Sequence, residues 1–160
     1  MGYLRAYFYE PVVNIDKANH SAKLQLKLLE GAPSYINDFN VQGSESISHK
    51  EVMKFFDVRK GDPVDPLSMR ESAQKLEYEY QIRGFKYVKV KLPEIETIEE
   101  GYNDYNVTVE EGPRIRIGDI IIQGNYSTKN YVVTRELTMK SGDLLNPEEI
   151  RESRRKLLRL

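Results

Sequence analysis

Four groups of residues in this chain have the types and spacing to do chemistry. Glu94, Glu96, Glu99 and Glu100 crowd the loop after Pro93. Paired carboxylates can trade protons with a substrate, but no nucleophile or apolar pocket is implied beside them, and a solvated acidic loop accounts for them. His20 and His49 are imidazoles that could hold metal or move protons near neutral pH. They lie far apart, one in an expected hairpin loop and one in the first turn of an expected helix, and solvation accounts for both. Arg151, Arg154, Arg155, Lys156 and Arg159 make a basic helix that could meet phosphate. Only one helical face would be basic, so a solvated face or a contact with a neighbouring domain is the simpler reading. Lys86, Lys89 and Lys91 fall on one expected strand. They could attract acidic partners, or serve as edge lysines that block aggregation. The glycines form neither a dinucleotide fingerprint nor a P-loop. No catalytic group, cofactor or metal is expected.

Composition narrows the partners. The 160 residues carry a net charge of -1, so no global field draws the chain to nucleic acid or anionic membrane. No apolar stretch approaches the ~18 residues of a membrane-spanning helix. The chain has no Cys, which excludes disulfides and thiol chemistry. Eleven Tyr and no Trp suit surfaces that pair strands or touch partners. Met1-Gly2 leads straight into strand-like sequence, so no leader peptide is expected, and the chain reads as a piece of something longer.

The elements that must position these residues repeat. At an offset of 81 residues, Glu30-Gly31 recurs as Glu111-Gly112, and Val41-Gln42-Gly43 as Ile122-Gln123-Gly124. Gly61-Asp62 recurs as Gly142-Asp143, and Asp65-Pro66 as Asn146-Pro147. Met69-Arg70-Glu71-Ser72 recurs as Ile150-Arg151-Glu152-Ser153, and Lys75-Leu76 as Lys156-Leu157. These are turn, cap and core types, so one supersecondary unit is used in tandem. Repeated punctuation without repeated catalytic groups suggests a string of binding modules.

One whole unit spans residues 34–112. Tyr35 to Val41 reads as a strand ended by Gly43, with Ile115 to Ile122 as its counterpart. Ser48 with Glu51 is a capping-box pair before Val52, Met53, Phe55 and Phe56. Asp65 and Pro66 are a natural N-cap and first helical residue. Met69, Ala73, Leu76 and Tyr80 then share one helical face, and Gly84 caps the end. Val88, Val90 and Leu92 alternate with Lys89 and Lys91; Tyr105, Val107 and Val109 alternate with polar residues. The order is strand, helix, helix, strand, strand: a small mixed three-stranded sheet with both helices on its apolar face, in an α+β class. Residues 1–33 supply only the closing hairpin of such a unit. There Leu4, Ala6 and Phe8 alternate with Arg5, Tyr7 and Tyr9, and Leu24, Leu26 and Leu28 alternate with polar residues. Residues 113–160 supply only a first strand and two helices. The two ends are complementary halves. Either the tail of one molecule docks on the head of another, or the ends fray.

This pattern resembles the POTRA domain. Glu110-Glu111-Gly112-Pro113 followed by Ile120-Ile121-Ile122-Gln123-Gly124-Asn125 resembles the linker and first strand of POTRA domains in BamA-type outer-membrane assembly proteins. Arg135-Glu136-Leu137, Gly142-Asp143, Asn146-Pro147 and Arg151 to Leu160 resemble the helical pair, and Tyr80-Gln81-Ile82-Arg83-Gly84-Phe85 the helix-to-strand junction. The resemblance implies a non-catalytic arm in the periplasm, ahead of a membrane barrel absent from this chain. It implies partners of two kinds, unfolded outer-membrane proteins and accessory assembly subunits, bound by adding a strand to a sheet edge. The edge it implies is Phe85, Lys86, Tyr87, Val88, Lys89, Val90, Lys91 and Leu92. A second candidate edge is Leu4, Arg5, Ala6, Tyr7, Phe8 and Tyr9. An exposed edge offers unpaired N–H and C=O groups that accept varied sequences. Proline at Val88 or Lys89 should then weaken binding more than alanine. The arm of a secretion or organelle-import channel is a sibling reading. A nucleic-acid-binding α+β module is a rival of another class, but it lacks the Gly-x-x-Gly loop of KH modules. The junctions are expected at 30–33 and 110–113, too short for free tumbling.

Overall fold

In the computed structural model, which describes residues 2–94 and 98–159, the chain is α+β. It runs β1 (Tyr7–Phe8), β2 (Val12–Asp16), β3 (Ser21–Gln25), β4 (Leu28–Leu29), β5 (Ser34–Gln42), α1 (His49–Met53) and α2 (Pro66–Ile82). Then come β6 (Lys89–Lys91), β7 (Gly101–Glu110), α3 (Asn130–Thr134) and α4 (Pro147–Leu157). The order β5-α1-α2-β6-β7 is the strand, helix, helix, strand, strand expected of residues 34–112. Its strands form a three-stranded sheet in the order β5-β7-β6. The chain divides into two compact units.

The first unit comprises Met1–Asn40, Val58–Met69 and Pro93–Asn106. Its hairpin pairs β1 with β4 and β2 with β3, both antiparallel. Strand β2 falls where only a hairpin loop was expected. The true turn is shorter: Asp16 accepts the amides of Ala18 and Asn19 and the Asn19 side chain, an Asx-type turn. The Asn19 side chain and amide hold the Asp16 carboxyl below its ordinary range. The apolar residues of this hairpin stay in water, with Leu24 57% and Leu26 59% exposed. Around β5 the same unit is well buried. Phe39 stacks on Tyr105 at 6.0 Å between centroids, and Ile36, Val64, Met69 and Ile98 are buried. The turn at 61–64 bonds back to β5. Ile36 N–H donates to Asp62 O at 2.9 Å, Gly61 N–H to Ile36 O at 2.7 Å and Val64 N–H to Ser34 O at 2.9 Å.

The second unit comprises Val41–Asp57, Arg70–Leu92 and Val107–Leu160. Ala73, Leu76 and Tyr80 of α2 are buried here with Ile47, Val52, Phe56, Phe85, Val88, Val107 and Val109. Leu76 is fully enclosed, which contributes about 1.5–3 kcal/mol. Only half of the capping box forms. Ser48 Oγ accepts the Glu51 amide at 3.3 Å, but the Glu51 carboxylate turns to Arg83 at 2.5 Å. Gly43 has a positive φ of 77°, and a Cβ there would stand 2.2 Å from the Val109 carbonyl oxygen. Close backbone approach therefore explains this repeated glycine.

Three strand expectations need correction. Ile115 to Ile122 does not form a strand; its only ladder contact among the described residues is an isolated bridge, Arg116 to Leu144. A strand is held by its partner's ladder, and among the described residues no strand pairs with this segment. Phe85 to Leu92 shrinks to Lys89–Lys91, because Lys86 and Tyr87 make a turn and Phe85 and Val88 face the core. Leu4 to Tyr9 shrinks to Tyr7–Phe8, with Leu4 and Arg5 in a turn.

Candidate partner-binding edge

The short strand β6 is positioned by what precedes it. Helix α2 ends at Ile82, and Gly84 beyond it, with a φ of 92°, turns the chain back. Phe85 then packs edge-on against Tyr80, with centroids 5.7 Å apart, and anchors the turn. Tyr80 is itself fixed: its hydroxyl lies 2.7 Å from Ser44 Oγ, and burial pushes its pKa up to about 12. Val88 is buried, and its N–H donates to Phe85 O at 3.3 Å. The chain is thus extended and free to pair only from Lys89.

Strand β6 pairs antiparallel with β7: Lys89 opposite Glu110, Val90 opposite Val109, Lys91 opposite Thr108. Strand β7 lies between β5 and β6, so among the described residues β6 is an edge of its sheet. Lys91 Nζ pairs with Glu110 Oε1, and that hydrogen bond is the main reason the Glu110 carboxyl lies below its ordinary value. The Val90 N–H does not go to β7; it donates to Glu77 Oε1 of α2 at 2.8 Å. Val90 and Val109 are therefore the non-hydrogen-bonded pair of the ladder, with Lys89 and Lys91 bonded to β7 on either side. The outward donor of this edge is Val90. Neither Val88 nor Lys89 offers one, so a proline at those two positions would not probe the edge. Lys86 and Tyr87 are exposed in the preceding turn, and Leu92 follows the strand half-buried.

The second candidate edge is slighter. Tyr7 and Phe8 pair with Leu29 and Leu28, and Tyr9 N–H donates to Lys27 O at 3.0 Å. Leu4 is half-buried; Arg5, Ala6, Tyr7, Phe8 and Tyr9 are exposed. Tyr7 and Tyr9 meet edge-on, and the Lys27 ammonium sits 4.9 Å from the Tyr9 ring centre. These residues belong to the first unit and β6 to the second.

Glu99 and Glu100 serve the fold. Glu100 Oε1 accepts the Ala32 amide at 3.4 Å, and the Glu99 carbonyl accepts the Ser34 hydroxyl at 2.8 Å. Glu96 lies outside the described residues. His20 sits in the hairpin turn and His49 opens α1, both exposed, and no cluster that could hold a metal occurs among the described residues. On α4, Glu152 pairs with Arg155 and Lys156, which damps the basic face. Arg151 donates to the Tyr78 hydroxyl at 3.1 Å, and that hydroxyl donates to Glu148 at 2.6 Å.

Glu111 was overlooked by sequence reasoning. Glu-Gly reads as a linker, yet Glu111 Oε1 accepts the amides of Glu45 and Ser46, each at 2.7 Å, and Oε2 accepts the Ser46 hydroxyl at 2.6 Å. Burial raises its pKa, but the Ser46 and Glu45 hydrogen bonds outweigh that and leave it below the ordinary value. The available signal was the spacing: Glu111 recurs as Glu30 in register with Gly43 and Gly124.

Comparison with known proteins agrees with this architecture. The family model described as "POTRA: Surface antigen variable number repeat" matches residues 34–112 and 115–160. The chain belongs to the POTRA family. It is 30% identical over 138 residues to the outer membrane protein assembly factor BamA of Neorickettsia risticii (strain Illinois), covering 86% of this chain and 19% of that one. It is 23% identical over 163 residues to a putative outer membrane protein assembly factor of Treponema pallidum (strain Nichols), covering 99% of this chain and 20% of that one. The chain thus spans about a fifth of the length of these relatives. The crystal structure of Haemophilus influenzae BamA POTRA3-5 superposes with a TM-score of 0.63 at 14% identity, covering 99% of this chain and 63% of that one. That similarity establishes the fold. Among the described residues no helix is long and apolar enough to cross a membrane.

Proposed function

We propose that this chain is part of the periplasmic arm of an outer-membrane protein and works in outer-membrane protein assembly as a non-catalytic scaffold. It receives unfolded β-barrel proteins, and docks accessory assembly subunits, by strand addition at β6. The observation that carries this is the edge position of β6, with Val90 turned away from β7. Family membership and the assembly-factor relatives support the biological setting. Main-chain pairing suits such a role, because the bonds come from groups every client has and demand little of its side chains. Lys89 and Lys91 flank Val90 on the exposed face and keep the unoccupied edge from pairing with copies of itself.

A photo-cross-linking amino acid placed at Lys91 should capture a urea-unfolded eight-stranded barrel protein on dilution. The same group at Lys60, on the exposed turn beside β5, should capture much less. Equal yields at the two positions would overturn edge binding.

A further inference from the structure

We infer that Glu77 is a built-in competitor for the docking edge, occupying the one outward backbone donor within β6. This deepens the reading of β6 as the docking strand and rests on it.

Glu77 lies on α2 one residue after the enclosed Leu76, and its side chain is half-buried. From there the carboxylate reaches the outward N–H of Val90 at 2.8 Å. The bond is made to a charged acceptor, which is stronger than an amide-to-carbonyl bond. The donor before it along the edge, Val88 N–H, is already bonded to Phe85 O. An added strand must therefore take Val90 N–H from Glu77 with one of its own carbonyls. The neutral carbonyl replaces a carboxylate, and Glu77 must move out to water. Weakly pairing segments do not make that exchange; extended strands that bond along the whole edge do. In this way Glu77 sets the threshold for docking and caps the edge when no client is present, an acidic counterpart to the lysines beside it.

Two readouts on the whole chain test this. The first needs no client: the amide hydrogen-exchange rate of Val90, by NMR, in the wild type and in Glu77→Gln and Glu77→Ala. Exchange at Val90 should accelerate in Glu77→Ala, and less in Glu77→Gln, whose amide oxygen still accepts. The second is the anisotropy of a labelled ten-residue peptide alternating valine with threonine. Its affinity should rise roughly three- to tenfold in Glu77→Ala, the size of one hydrogen bond released from competition. Glu71→Gln removes a charge from an exposed site on the same helix and should leave affinity unchanged. Unaltered Val90 exchange in Glu77→Ala overturns the capping bond itself. Faster exchange with unaltered or weaker peptide binding overturns the competition. Faster exchange with no binding by any variant, the wild type included, refutes docking at β6 and the competition with it. An equal gain in Glu71→Gln would make the effect one of net charge and overturn Glu77's role.

Discussion

Replacing Glu111 by alanine should cost far more than its place in a linker motif suggests. The carboxylate accepts three hydrogen bonds, from the Glu45 and Ser46 amides and the Ser46 hydroxyl. A hydrogen bond to a charged group is worth ~1.5–3 kcal/mol, which would give an additive figure above 4 kcal/mol. The three share one acceptor, and the carboxylate is only part-buried, so solvent reclaims much of the loss. About 2 kcal/mol remains as the expected destabilisation. Urea unfolding followed by circular dichroism measures it, and for a chain of this size the melting point should fall by about 4–8 °C. Glu111→Gln should fall between, since its oxygen still accepts. The pH dependence follows from the same bonds. The folded pKa lies below the ordinary glutamate value, so this contribution is fully present above that value. It is lost as pH falls through the folded pKa. In Glu111→Ala the stability gap to the wild type should close in acid. A loss under 0.5 kcal/mol at neutral pH, or a gap that persists in acid, would refute the anchoring role.

Two further substitutions test the packing that sets the edge in place. Leu76→Ala should destabilise by about 2–5 kcal/mol in urea unfolding, because it opens a cavity in a fully enclosed position. Gly43→Ala forces a side chain into the left-handed region and against the Val109 carbonyl, 2.2 Å from the new Cβ. It should lose at least ~2 kcal/mol, whereas Gly61→Ala, with nothing near its Cβ, should lose only the backbone cost of ~1–2 kcal/mol.

The fold was legible where local chemistry and burial agree. Asp65 caps α2 as its type suggests, accepting the Leu67 and Ser68 amides at 3.1 and 3.3 Å. The helical face from Met69 to Tyr80 and the alternation from Tyr105 to Val109 are both buried as patterned. Legibility failed where a residue's state depends on a distant partner. Ile115 to Ile122 has strand composition, but a strand exists only against another strand. Val88 and Val90 read alike, yet one turns to Phe85 and the other to Glu77. Strand β2 was hidden because Asn14, between Val13 and Ile15, and the following Asp16 resemble a loop, while pairing with β3 makes the strand. In the candidate site, alternation marked β6 and its lysines. It carried no trace of Glu77, whose contact spans 13 residues and a change of element.

The most direct test of strand addition is peptide binding by Val90→Pro against Val90→Ala. Proline deletes the outward donor and places its ring on the docking side; alanine keeps the donor and loses only side-chain packing. With the alternating valine–threonine peptide, Val90→Ala should bind within about twofold of the wild type, and Val90→Pro roughly tenfold more weakly or worse. Circular dichroism should show both variants folded, because Val90 N–H makes no bond to β7. Equal affinities for the proline and alanine variants would contradict docking at this edge.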